Sequence, residues 1–557
     1  MAHLSILLAW SLLAPLLIGL GGVGWWLLRP DPAARWRPFW LFWLGWSLTL
    51  FILQVWHVLA PVDAWPFLLL VPLSVFGWTR LARLPRERWE APRWSLLLFL
   101  GLAGVLCVVC AGLSLRRPGN PDTCLYYMQT VRWFAAYPLV QGMANFDELL
   151  AFNNGYHLYV ALLDVGPFTH RSHHLANGIL VLSVTLAGLA VLLRRLATRR
   201  APGGADFLQL LLLALGLELL PMDTASPAAD LALWGAKGAL VLWCLLPALE
   251  RREVRPFDLR VALYLACGAV VAKLSAAVVA LPFILFVAAG LFRTGPRQLV
   301  RSLPGLAAIG LGTLAPWLFR NAWLSGYPLY PSSLLALPVP WRLAEARVEY
   351  LALYIKAYAR YRTSAYGATM NLDGWVQHWL EKEWLDNRQL LVPVGVLVLA
   401  LALIAVRRLR GRGVSAGAAA LAPCLASVLL WAVTAPDVRF LAPVLWLTAG
   451  VAVFVAWPRD VAGALERPHG LTAFALLVLL GGLGTFDLRG WVRFPADFEP
   501  PEPERFTTAR LESGETVRIS TGCCLYPPCA YRAFVEPLRL NRPGDFASGF
   551  RVVHPAR

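Results

Sequence analysis

Long apolar runs alternate along this chain with short arginine-bearing segments, and two polar stretches interrupt the rhythm. Runs close to the ~20 residues of a membrane helix occupy roughly 4–28, 38–60, 64–80 and 94–115. A polar, aromatic-rich insert over 116–172 comes next, then runs at 173–193, 206–222, 228–249, 259–274, 275–292 and 303–320. A second insert covers 321–388, four further runs fall at 389–406, 414–434, 438–457 and 469–487, and a polar tail reaches Arg557. The pattern predicts an all-α polytopic integral membrane protein with fourteen spans. The pair at 259–292 is short for two crossings, which need about 40 residues, and Lys273 sits in its middle. Two short helices broken near Lys273 are expected, with irregular backbone that lines a cavity.

Composition agrees: 58% of the 557 residues are hydrophobic and only 15% charged, more apolar surface than a soluble domain can bury. The net charge of +17 comes from 50 basic against 33 acidic residues, but the arginines sit between apolar runs and no nucleic-acid motif accompanies them. They cluster at Arg29–Arg37, Arg80–Arg88, Arg194–Arg200, Arg251–Arg255, Arg293–Arg301, Arg407–Arg412 and Arg459–Arg467, whereas the short loops near 61–63, 223–227 and 435–437 carry none. By the positive-inside rule both termini and both inserts face away from the cytoplasm. The first run lacks a basic n-region and a cleavage site, so it reads as a retained helix and not as a signal peptide.

Five cysteines (107, 110, 244, 267 and 424) lie in apolar runs, where a thiol behaves as a small hydrophobe. Cys523, Cys524 and Cys529 lie in the polar tail; on an oxidising face, Cys523 or Cys524 is expected to bridge to Cys529. Zinc is the rival, and three cysteines without a suitably spaced histidine make a poor zinc set.

A carboxylate at a membrane boundary is costly, which singles out Asp122, just past the fourth run. Asp223 and Asp230 flank the turn MDTASPAAD; Asp230 also suits a helix N-terminus. Lys273, one of four lysines, either snorkels or binds phosphate. Arg320 leaves the membrane beside SGYPLYP as an interfacial anchor or a bidentate phosphate ligand. The segment 342–388, with Trp375, Trp379 and Trp384, reads as helices lying flat on the membrane. Glu218 and Lys237, inside helices, are expected to pair with each other. Four histidines (157, 170, 173 and 174) border the first insert without metal-ligand spacing.

The phrases PDTCLYYMQTVRW, GMAN, AFNN, SPAAD, KLSA, RNAWLSGYPLYP, APDVRF, CCLYPPC and GFRVV resemble an uncharacterised bacterial membrane-protein family and, through it, the GT-C superfamily. Those glycosyltransferases move a sugar from a polyprenyl-phosphate carrier on the extracytoplasmic face. The resemblance implies a GT-C-like helical bundle over 94–487 with outer loops 116–172 and 321–388, an N-terminal three-helix addition over 1–93 and a Cys-containing tail over 488–557. It implies a bacterial inner-membrane protein whose partners are a polyprenyl-phosphate sugar donor, membrane lipid and a glycan or lipid acceptor. Residue by residue it makes Asp122 the catalytic base. Arg320 and Lys273 are then the candidates for the donor phosphate, and Asp223, Asp230, Asn153, Tyr327 and Arg439 those for substrate. The superfamily's common adjacent acidic pair is replaced here by a lone aspartate, which puts the metal requirement in doubt: no cofactor is certain, and a divalent metal is possible but not indicated. A transporter or flippase for a lipid-linked glycan, or a non-catalytic envelope-assembly subunit, are the alternative readings.

The arginine asymmetry predicts that 116–172, 321–388 and 488–557 share the outer face. Cysteines introduced into each segment should react with an impermeant thiol reagent added outside; labelling from the cytoplasmic side alone would reverse the topology.

Overall fold

The computed structural model describes residues 1–30, 35–87, 89–199, 203–361, 374–381, 387–411, 416–456, 495–531 and 536–553. The first four apolar runs form α1 (Ala2–Leu27), α2 (Pro38–Leu59), α3 (Phe67–Leu81) and α4 (Arg93–Ser114). The first insert holds a π-helical turn, Thr123–Tyr127, and three short helices: α5 (Met128–Ala136), α6 (Met143–Phe146) and α7 (Tyr156–Leu162). Then come α8 (His173–Thr198), α9 (Gly204–Leu219), α10 (Ala229–Leu249), α11 (Pro256–Ala272), α12 (Ala277–Thr294) and α13 (Pro296–Ser325). The second insert contributes α14 (Glu345–Tyr361) and α15 (Trp375–Trp379). After it follow α16 (Arg388–Leu409), α17 (Leu421–Thr434), α18 (Val438–Leu441) and α19 (Val444–Ala456).

Nine helices among the described residues are long and apolar enough to cross a membrane, and α3 and α19 are shorter apolar helices. The chain is a helical membrane protein. The last expected run, 469–487, and Trp384 lie outside the described residues. The run at 438–457 is split into α18 and α19, because Pro443 has no backbone N–H with which to continue a helix. The break foreseen at Lys273 is present: α11 stops at Ala272, a 3₁₀ turn covers Leu274–Ala276 and α12 restarts at Ala277.

Close packing welds the N-terminal helices together and to the rest. A Cβ at Gly45 on α2 would collide with the Leu17 carbonyl of α1, and one at Gly21 with the Leu41 carbonyl, so the two backbones touch along this seam. Helix α2 also packs on α11 and α13, and Trp10 of α1 donates its indole N–H to the Leu175 carbonyl of α8 at 2.9 Å. At the opposite end, Trp25, Trp40, Trp243 and Phe257 meet edge to face at centroid distances of 4.9–6.2 Å, a preferred aromatic geometry.

The tail is a small β structure. Strands β1 (Phe506–Arg510) and β2 (Thr516–Ser520) pair antiparallel, β3 (Cys529–Ala530) joins β2 in parallel, and β4 (Leu538–Arg542) pairs with β5 (Asp545–Val552). It is fastened onto the first insert. Tyr531 N–H donates to Asp147 Oδ2 at 2.6 Å, Phe550 N–H to the Gln141 carbonyl at 2.9 Å, and Arg132 to the Leu525 carbonyl at 2.8 Å. Phe550 stacks on Phe146 at 4.6 Å, and Gly142 and Gly549, both at positive φ, let the two backbones approach where a Cβ would strike a carbonyl.

Two disulfides are present: Cys524–Cys529, one of the expected pairs, closes a loop within the tail, and Cys124–Cys523 crosses the seam. The first decides which of Cys523 and Cys524 takes Cys529, as the sequence left open, and the second was not foreseen. Cys124 lies in the π-helical turn, and only folding of the first insert against the tail brings these thiols together across 399 residues.

Replacing Gly45 with alanine should cost about 1–3 kcal/mol, the usual range for overpacking a core, because the obstacle is backbone and not a movable side-chain tip. A lowered thermal unfolding midpoint of the purified protein would register it.

Candidate functional site

Five sequence-selected charges converge where α4, α9 and α11 end and α10 and α12 begin. Asp122 follows Pro121 beyond α4, and its backbone N–H donates to Asn120 Oδ1 at 3.0 Å. The turn that follows is π-helical, so the residue facing Asp122 is five positions on. Tyr127 donates its hydroxyl to Asp122 Oδ2 at 3.3 Å. One step into the turn, Thr123 shares a 2.8 Å hydrogen bond with Ser226, and Asn177 of α8 donates to the carbonyls of Ser226 and Ala228 at 2.7 and 3.0 Å. These bonds hold the Asp122 segment against the loop that carries Asp223 and leads into α10.

Lys273 stands at the break between α11 and α12, and its ammonium donates to Asp230 Oδ1 at 2.7 Å. The irregular backbone is compensated locally: Gly155 N–H takes up the Val271 carbonyl at 2.8 Å, as buried peptide groups require. Two turns further along α10, fully buried Lys237 donates to the Phe440 carbonyl at 2.8 Å. That bond fixes the short α18 turn, where Asp437 caps the helix by accepting from Arg439 N–H at 2.9 Å and receives the Arg439 guanidinium at 2.7 and 3.0 Å. The Phe440 ring lies 5.4 Å from the Lys273 ammonium and 5.9 Å from the Arg439 guanidinium.

The electrostatics follow from partial burial among unlike charges. Burial pushes the Asp122 carboxyl above the usual carboxylate range, opposed by Lys273, Arg439 and the Tyr127 hydrogen bond. Asp223 is raised for the same reason and opposed by the Asn120 side chain. For Arg439, burial alone would lower the pKa, but Asp437 outweighs it and the net shift is upward. His157 on α7 is driven down to about 3, mainly by burial and then by Lys273, so it is neutral at any physiological pH. Among the described residues Asp122 and Asp223 have no salt bridge, whereas Asp230, Asp258 and Asp437 do.

Arg320, Asn153 and Tyr327 are placed elsewhere. Arg320 is wholly enclosed: its Nε donates to Asn153 Oδ1 at 2.9 Å, its Nη1 meets His57 Nδ1 at 2.7 Å and its guanidinium lies 5.5 Å from the Phe134 ring. Asn153 also donates to the Trp317 carbonyl at 2.9 Å. Together they form a joint between α2, α13 and the first insert. Arg320 thus has no exposed surface to offer a phosphate, which corrects the expectation placed on it. Tyr327 is enclosed too and donates to the Leu343 carbonyl at 3.0 Å inside the second insert. Glu218 and Lys237 do not pair: Lys237 bonds Phe440, and Glu218 accepts from Gln389 at 3.5 Å.

Sequence reasoning missed Tyr127 and Asn120 as partners of the Asp122 segment. Tyr127 carries no signal at α-helical spacing, because i+5 faces i only in a π turn. Among the described residues no group of three or more His, Cys, Asp or Glu side chains is arranged to hold a metal ion.

Membrane-length helices whose ends gather a half-open cluster of carboxylates and cations define a polytopic membrane protein with a polar site at its helix ends. The chain matches a family described as a domain of unknown function (DUF8201) over residues 3–446, and it belongs to that family. The match takes in every charge of the cluster and stops before the β tail. No curated protein and no solved structure matches the chain.

Asp230→Asn leaves Lys273 without its counter-charge and should destabilise the protein by about 3–5 kcal/mol, the cost of breaking a buried pair. The double variant Asp230→Asn/Lys273→Met should recover much of that loss. Thermal unfolding of the three variants checks it, and equal losses in the single and double variants would show that the pair is not coupled.

Proposed function

We propose that this protein is a GT-C-type glycosyltransferase of the bacterial inner membrane. It moves a sugar from a polyprenyl-phosphate donor, held at the surface of the membrane lipid, to a glycan or lipid acceptor on the extracytoplasmic side. The observation that carries the reading is Asp122, a partly buried carboxylate with no salt bridge among the described residues, set beside Lys273 and Arg439. In this reading the chain makes fourteen crossings with both termini outside, and the two disulfides support an oxidising location for the first insert and the tail.

Asp122 takes the proton of the acceptor hydroxyl as its oxygen attacks the anomeric carbon. The bond from that carbon to the phosphate oxygen breaks on the opposite face, which inverts the centre, and the polyprenyl phosphate leaves with the electron pair. Lys273 spends one of its three N–H donors on Asp230, and the Arg439 side chain stays 38% exposed. These two cations oppose the charge that develops on the leaving phosphate, the role that the sequence reading gave to Lys273 and Arg320. Asp223, which faces the same loop, orients sugar or acceptor. No step calls for a metal.

Asp122→Asn should leave the fold and donor binding intact and lower turnover by roughly 10² to 10⁴, the worth of a general base. A general base works only when ionised, and burial raises the Asp122 pKa. Activity should therefore be present above that raised pKa and be lost as the pH falls through it, at a pH above the usual carboxylate range. Tyr127→Phe removes a hydrogen bond that favours the ionised form and should move this acid limb further up. Transfer of sugar by Asp122→Asn at the wild-type rate would remove Asp122 as the base.

A further inference from the structure

A crevice opens between the end of α9, the start of α16, and α10 and α19, with the Val438–Pro443 turn as one wall. About 400 Å³ of space lies in it when the open solvent at the mouth is counted and only about 30 Å³ within it, room for the ammonium end of a headgroup and not for a whole lipid. The walls include Leu219, Pro443, Trp234 and Trp446, and the ionisable group is Glu218. Gln389 supplies its one hydrogen bond, at the 3.5 Å limit. No described lysine or arginine pairs with it, since Lys237, the cation nearest in sequence, is committed to Phe440.

A half-buried carboxylate in a membrane protein with no counter-charge among the described residues calls for a cationic partner. Glu218 lies in the last turn of α9, Gln389 in the first turn of α16 and Trp446 in the first turn of α19, so all three stand at helix ends. Carboxylate, tryptophan rings and apolar wall together form the arrangement that recognises an ammonium carried on an aliphatic stem.

We propose that this crevice binds the ammonium headgroup of an amine-bearing membrane lipid. Glu218 accepts from the ammonium, Trp234 and Trp446 line its first methylenes, and the acyl chains run down the exposed apolar side of α16, past Val392 and Leu399. The site is separate from the Asp122 cluster, from which the Val438–Pro443 turn divides it, and it does not depend on the glycosyl-transfer reading.

Native mass spectrometry of the purified full chain, titrated with an ethanolamine-headgroup lipid and a glycerol-headgroup lipid of identical chains, tests this. The wild type should retain the ethanolamine lipid at roughly tenfold lower concentration or less, the worth of one charge-assisted hydrogen bond. Glu218→Gln, which keeps shape and removes charge, should bring the two lipids level. Trp446→Leu, which keeps the carboxylate, should weaken retention of the ethanolamine lipid while preserving the order. Equal retention by the wild type, or a headgroup preference untouched by both variants, would overturn the site. Displacement by free ethanolamine at equal concentration would overturn the lipid assignment and point to a soluble amine.

Discussion

The ion pair between Lys273 and Asp230 is the contact on which the arrangement of the polar site depends. It spans 2.7 Å between the break in α11–α12 and the first turn of α10, at a level where neither charge is well hydrated. An interrupted helix in a membrane leaves peptide groups and side chains without helical partners, and here a charge on the neighbouring helix and a backbone N–H from the first insert supply them. Because Asp230 neutralises Lys273, the cation can stand in the interior without being expelled, and its field reaches Asp122 and His157.

A second layer of constraint is covalent. The Cys124–Cys523 bond ties the turn that follows Asp122 to the tail, and the Gly142–Gly549 approach, the Phe146–Phe550 stack and the Asp147–Tyr531 hydrogen bond repeat that fastening at separate points. A stretch of about 60 residues is small for an independent core. This one shares the core of the first insert, so the tail is a roof on that insert.

Two arginines with similar sequence credentials ended in opposite situations. Arg320 and Arg439 both follow apolar helices and both border aromatic turns. Arg320 is enclosed among Asn153, His57 and Phe134, whereas Arg439 is held by Asp437 with its side chain partly open beside Asp122's cluster. The difference lies in what faces them: neutral acceptors from α2 and the first insert in one case, a carboxylate two residues away in the other. A fully enclosed cation held through Nε and Nη1 by neutral acceptors serves structure even though its Nη2 has no partner among the described residues, while one with exposed surface remains available to a ligand.

Apolar periodicity by itself determined the helical class, the place of most helices and the break at Lys273, because membrane length and hydrophobicity leave few other solutions for such runs. It also selected Asp122, Asp223, Asp230, Lys273 and Arg439, since a charge at a membrane boundary is costly enough to be conspicuous in any sequence. Only the tertiary structure decided which charges meet. It separated Arg320, Asn153 and Tyr327 from the cluster, divided Glu218 from Lys237, found Tyr127 through a π turn and gave Cys523 to Cys124 instead of Cys529. Each of these is a choice among partners far apart in the chain or at an unusual helical offset. Periodicity records which way a side chain faces along one helix, not which neighbour from another helix it will find there.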